Sequence, residues 1–295
     1  MAVAGWGMKR EQLLSRKMRL LMVGALLIAL TASYLVILRN FNVSEQPGER
    51  MFGAAGSVAA ARIYLEPLSI DAANEGMQLR AYLSPNLSDG KYARAGADRD
   101  LILLITHDKT VEEIKLAAGG HMASSTFEVD LNDGSVTHYP FDSFVARLDV
   151  QLTDGKAPLS LPARITVWEG VHGYNLHTTS QPGADPNDVQ LAIAISRGGA
   201  IVLLALCGYG VMLVLGFCAV VMGVLTFINV RPPETGLIGS LAAFAFALPV
   251  LRGILPGSPP LGVTADMWVF LWVEMVNVLA LALVVFKWAH AGPRI

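Results

Sequence analysis

Four apolar stretches, residues 20–38, 198–230, 236–251 and 267–286, restrict this chain to architectures that a lipid bilayer can hold. Only the last contains a charge-bearing residue, Glu274. A hydrocarbon core about 30 Å thick takes ~20 apolar residues in a helix, so each stretch reads as a membrane span. Residues 39–197, between the first two, contain no apolar run long enough to cross. The sequence therefore predicts an α+β membrane protein: an extracytoplasmic antiparallel β-sandwich plus four transmembrane helices.

Charge sets the expected orientation. Residues 1–19 carry Lys9, Arg10, Arg16, Lys17 and Arg19 against Glu11 alone, and short positive flanks stay on the cytoplasmic side. Residues 39–197 then lie outside. The chain returns inward through 198–230 to a short cytoplasmic turn at 231–235 and goes out through 236–251 to a loop at 252–266. It comes back through 267–286 to a cytoplasmic tail at 287–295. Trp268, Trp272 and Trp288 flank that last span, where indole rings favour the interface. The expected location is the plasma (inner) membrane, multi-pass, with both termini cytoplasmic. The nineteen-residue run at 20–38 exceeds the ~7–15 of a secretory h-region, and no small-x-small site follows it, so an uncleaved anchor is expected. Within 39–197, 13 Lys and Arg stand against 20 Asp and Glu. That balance excludes nucleic acid as a partner of this segment, since phosphate binding needs positive charge. The lipid bilayer is the implied partner, with a membrane-protein partner or a homo-oligomer as further possibilities.

Within 39–197 the pattern is that of strands. Residues 62–68, 77–83, 126–131, 145–152, 164–169 and 189–195 alternate, and 100–106 is an apolar run of the length a buried strand uses. Turn chemistry separates them at Asp89-Gly90, Asn132-Asp133-Gly134 and Asp154-Gly155. Seven to nine short strands are expected, with a short helix conceivable at 111–116 and a linker at 42–57. Cys207 and Cys218 are the only cysteines. Eleven helical residues separate them by ~16 Å, beyond disulfide reach within one chain, and buried inert thiols are the expectation.

The most distinctive local sequence is Tyr139-Pro140-Phe141-Asp142-Ser143-Phe144. Pro140 fixes its own φ and pushes Tyr139 into an extended conformation, and the Asp142 carboxylate can accept from nearby backbone donors. This reads either as a strand-to-strand corner or as an aromatic plug pressed on the membrane part. Glu274 is the second outstanding residue. A carboxylate inside a span costs roughly 2.5–3.5 kcal/mol and faces protein or water. Asn277 shares its helix face, and Arg252 is placed to snorkel towards it. Packing by hydrogen bonds is the plainer reading, a proton or ion relay the sharper one. Gly198, Gly199, Gly208, Gly210, Gly216 and Gly223 permit close helix approach. The histidines of the outer segment, His107, His121, His138, His172 and His177, lack metal-ligand spacing and read as surface residues. Asp98, Asp100, Asp108, Glu112 and Glu113 read as a solvated rim, with weak calcium binding the alternative. No hydrolase elbow, phosphate loop or zincin motif occurs. No catalytic residue, metal or cofactor is therefore expected.

Together these features resemble a bacterial membrane family, domain of unknown function 4436. The resemblance implies an amino-terminal anchor, an outer domain with a Tyr-Pro-Phe-Asp-x-aromatic signature and three closing spans. The hexapeptide is also similar to the membrane-facing loop of pentameric ligand-gated channels of the Cys-loop class. There the sandwich ends in an arginine before the first channel helix, the place that Arg197 takes here. That class has four spans after the sandwich and none before, and its pore helix carries a polar ladder that 236–251 lacks. The expected function is non-enzymatic: the outer domain binds a partner or envelope ligand. A channel-like or signal-coupling assembly is the alternative, or an accessory subunit of an envelope enzyme or transporter.

Overall fold

The computed structural model describes residues 48–54, 59–85, 96–155, 157–183, 185 and 187–290, with scattered positions between 18 and 39. Among the described residues there are twelve strands: β1 (Glu49–Gly53), β2 (Ala61–Asp71), β3 (Gly76–Pro85), β4 (Leu101–His107), β5 (Thr110–Leu116), β6 (Ala123–Asp130), β7 (Ser143–Asp154), β8 (Ala157–Ser160), β9 (Ala163–Trp168), β10 (Gly170–Val171), β11 (Tyr174–Pro182) and β12 (Val189–Arg197). They are followed by helices α1 (Gly199–Phe227), α2 (Thr235–Gly253) and α3 (Leu271–His290), the last entered through a π turn at Asp266–Phe270.

One sheet has the order β1-β9-β2-β3-β6. The other runs β10-β11-β12-β7-β4-β5, with β8 on β7. The β region is thus a sheet plus a curled half-barrel. Pairing is antiparallel except between β2 and β9, which run parallel. Period-two alternation drives the assembly. Leu101, Leu103 and Ile105 of β4, Phe144 to Leu152 at every second position of β7, and Leu191, Ile193 and Ile195 of β12 point inward. There they meet Ile63, Leu65, Leu79, Val129, Ile165 and Val167 of the other sheet in one core. Each large aliphatic side chain so buried contributes roughly 1.5–3 kcal/mol.

The strand count exceeds expectation for identifiable reasons. Residues 111–116 are strand, because β5 pairs residue by residue with β4 and turns Ile114 and Leu116 into the core. Part of the expected linker is β1, held along β9 from Glu49↔Trp168 to Gly53↔Arg164. The predicted turn at 89–90 lies outside the described residues. At 132–134, Asn132 bridges Val145 in both directions and closes the loop that carries the hexapeptide.

Three helices among the described residues, not four, are long and apolar enough to cross a membrane. The described positions of 20–38 are helical, but the stretch is interrupted by positions outside the described residues. Ser33 Oγ lies 4.0 Å from Cys207 Sγ on α1. Both cysteines are free and half-buried rather than fully enclosed. α2 runs to Gly253, so Arg252 belongs to its last turn and not to the loop. From Ala205 on, the buried positions of α1, Ala205, Tyr209, Met212, Gly216, Ala219, Gly223 and Thr226, step by four and three. On α3, Val273, Asn277, Ala280 and Val284 do the same. A seam with that repeat is the mark of near-parallel axes with interlocked side chains.

Candidate functional site

β12 becomes α1 without a linker. Arg197 is the last strand residue, Gly198 the helix N-cap and Gly199 the first helical residue, and Gly198 N–H still donates to Gly173 O at 2.8 Å. The strand alternation turns Arg197 inward at the base of the β region. There its Nε donates to Asp142 Oδ1 at 2.6 Å, with both side chains buried. The guanidinium carbon stands 4.7 Å from the Tyr139 ring centroid and 5.6 Å from that of Tyr174, within cation–π range. Asp142 therefore pairs with an arginine 55 residues on, not with the nearby backbone donors expected from the sequence. Asp142 Oδ2 and Arg197 Nη2 have no hydrogen-bond partner among the described residues.

The hexapeptide loop reaches across to the helices. A short 3₁₀ turn, Val136–His138, capped by the Ser135 side chain, precedes it, and the Tyr139–Pro140 bond is cis. Tyr139, extended at φ −47°, ψ 137°, is 1 % exposed and packs with Ala205, Tyr209, Met212, Leu248, Leu255, Val263 and Val273 of the helical part. Its hydroxyl donates to Pro256 O at 2.9 Å. Burial pushes the Tyr139 phenol up to about 12, against the opposing pull of the Arg197 charge. Gly257, at φ +76°, lets the loop after α2 approach Arg197: a Cβ there would collide with Nη1. Phe144 is buried in the β core, whereas Phe141 is exposed.

Arg252 does not meet Glu274. Its Nε and Nη2 bind the Asp266 carboxylate, at 2.6 Å for the shortest contact, and Nη1 and Nη2 donate to Pro259 O and Pro260 O. Tyr209 Oη and Gly262 N–H donate to the same carboxylate. The π turn begins at Asp266, and such wide turns are common where a helix must redirect one side chain. Asp266 and Tyr209 were not singled out from sequence. A lone Asp 14 residues after a lone Arg, across a Pro- and Gly-rich loop, was the signal available. Glu274 is half-buried and its Oε2 has no partner among the described residues. Asn277, fully buried, donates to Leu241 O at 3.2 Å and so ties α3 to α2.

The half-barrel carries a second feature on its outer face. Gln181, Gln190, Asp149 and Thr106 stand in one cross-strand row over β11, β12, β7 and β4. With Asn132, Asp133, Arg147, Asp108 and the small Ala192 they line a depression of about 570 Å³. Arg147 is paired to Asp133. Burial and the nearby Asp188 carboxylate hold the Asp149 carboxyl above the usual range, and Asp149 Oδ1 has no partner among the described residues.

The histidines do not converge. His107, expected at the surface, is buried and stacked on Phe127 with ring centroids 5.5 Å apart. His177 lies 3.0 Å from Arg50 Nη2, and His121, His138 and His172 are exposed. The acidic residues of the expected rim separate too: Asp98 pairs with Arg99, Asp100 accepts from Ala118 N–H, and Glu113 meets Lys115. No group of three or more His, Cys, Asp or Glu side chains able to hold a metal occurs among the described residues.

Fold and joint define a class: a β domain set directly on three apolar helices, of the multi-pass membrane kind. Comparison with known families divides the chain at the same point. Residues 51–194 match the family model described as domain of unknown function (DUF4436), and residues 197–291 match that described as domain of unknown function (DUF8686). Each match covers less than half of the chain, and the first reaches only to the end of the β region, not across the helices. Arg197 and Asp142 pair across that boundary. No curated protein matches the chain.

Proposed function

We propose that this is a non-enzymatic membrane protein whose β domain binds a partner or envelope ligand outside the plasma membrane, with the helices as anchor and transducer. The observation that carries the reading is the joint. Arg197 ends β12 directly before the N-cap of α1, its side chain is held by Asp142, and Tyr139 is held by the loop after α2. A load applied to the half-barrel along β12 therefore has no slack through which to dissipate before it reaches α1 and α2.

The polar depression on the half-barrel is the binding surface this reading favours. Its row of carboxamide, carboxylate and hydroxyl groups suits a polyhydroxylated ligand such as an envelope glycan, since each planar side chain can bond two neighbouring hydroxyls. The test is calorimetric titration of the intact protein in lipid nanodiscs with glycan oligosaccharides, beside Ala192→Trp, which fills the depression. Saturable binding that falls at least tenfold in the variant, with an unchanged melting midpoint, supports the reading. Binding indifferent to the substitution, or no binding, contradicts it.

The channel-like alternative rests on the same Asp142–Arg197 pair at the strand-to-helix boundary. It requires a ring of copies, so a monomer or dimer by mass measurement in detergent removes it.

A further inference from the structure

α2 has 19 residues and is ~28 Å long, close to the ~30 Å of a hydrocarbon core. Its ends therefore sit at the two edges of that core, and the connection that follows it, residues 254–265, lies at headgroup level on the β-domain side. Residues 250–273 hold only two charge-bearing side chains, Arg252 and Asp266. Both are buried, and they pair with each other. What this connection and the turn into α3 present outward is uncharged and includes four large apolar side chains: Ile254 is 71 % exposed, Leu261 80 %, Met267 54 % and Trp268 75 %. A loop made for water shows the reverse, with charge outside and apolar groups within.

The β domain adds a further member. Phe141 is 68 % exposed, although Tyr139, Pro140 and Asp142 beside it are buried. Its loop is fixed to the connection by the Tyr139–Pro256 hydrogen bond. We propose that Phe141 and residues 254–268 form one lipid-contacting collar, sunk into the boundary between headgroups and acyl chains of the leaflet on the β-domain side. The occupant is lipid because the collar continues the apolar flanks of α2 and α3 without an intervening exposed charge, and because Trp268 belongs at that depth. The collar sets the base of the β domain in the membrane, with the Asp142–Arg197 pair one residue from acyl chains. It stands whether or not the depression binds a glycan.

The test uses the full chain with Cys207→Ser and Cys218→Ser, reconstituted in phosphatidylethanolamine–phosphatidylglycerol vesicles. A fluorophore is attached at Phe141→Cys, at Leu261→Cys or at Met122→Cys, the last exposed just before the first residue of β6. Lipids brominated on their acyl chains should quench the first two several-fold more than the third, and aqueous iodide should quench only the third. Iodide quenching at Phe141 equal to that at Met122 overturns the proposal, and so does quenching by neither agent, which places a protein on this face. Where the cysteine at Phe141 lowers folded yield, a photoreactive benzoylphenylalanine keeps the aromatic ring. A phospholipid adduct by mass then supports the collar, and a protein cross-link or no adduct overturns it.

Discussion

Two buried arginines on the β-domain side differ in how well they are satisfied. Arg252 spends its donors on both oxygens of Asp266 and on two proline carbonyls. Arg197 makes one hydrogen bond, to Asp142, and leaves Nη2 and Asp142 Oδ2 unpartnered among the described residues. Desolvating two charges costs several kcal/mol each, so an incompletely bonded pair adds little net stability and serves to fix register. Arg197→Met alone strands the Asp142 charge and should cost about 3–5 kcal/mol. Arg197→Met with Asp142→Leu should recover most of it, as read from denaturation midpoints in detergent. A double variant no better than the single one contradicts that role. Tyr139 gives a pH signature. Its phenol, held up to about 12 against an ordinary 10.0, keeps a proton that the unfolded chain releases. Stability is therefore full below pH 10 and is lost as pH rises towards 12, by about 3 kcal/mol at most. Tyr139→Phe should remove this share of the alkaline slope and leave that of Tyr174, whose phenol burial also raises. The sequence marked Tyr139, Asp142, Arg197 and Arg252 as unusual but not whom they meet. Asp142 and Arg197 are joined only by sheet register, and Asp266 outcompetes Glu274 for Arg252 because the loop folds back over the helix end.

At the scale of elements, the α1–α3 seam rests on small residues in phase. A Cβ on Gly223 would stand 2.8 Å from Ala280 Cβ, and one on Gly216 3.0 Å from Val273, whereas one on Gly210 meets nothing within 4 Å. Gly223→Leu should therefore push the helices apart at a cost of roughly 1–3 kcal/mol. Gly210→Ala should be neutral or stabilising by up to about 1 kcal/mol. Equal effects in a thermal-unfolding comparison would contradict the assigned seam. The glycines were visible in the sequence, but their phase was not. In lipid every face of such a helix is apolar, so hydrophobic periodicity carries no direction. Strands were more legible, since alternation against water reports the buried face directly. β1 and β5 escaped because these edge strands, with Met51 and Val111 exposed, lack a clean alternation of polar and apolar residues until their partners are known.

For the whole molecule, parity sets one prediction. Three crossings after the β region place the β domain and the end of α3 on opposite sides of the bilayer. In a background of Cys207→Ser and Cys218→Ser, Met122→Cys should react with an impermeant maleimide in intact cells, and Trp288→Cys only after permeabilisation. The apolar spans made this architecture the plainest part of the chain to read. The joint was not readable in the same way, since it needs an arginine at the end of β12, a loop 55 residues earlier and a connection beyond α2 to coincide in space. That coincidence is the centre of the account, and it predicts that the β domain and helices move as one body. The direct measurement is the spin-label distance distribution between Met122→Cys and Trp288→Cys in lipid nanodiscs. A single narrow peak that broadens when Arg197→Met is added agrees with a locked joint. A distribution already broad with Arg197 in place, or one unchanged by its loss, contradicts it.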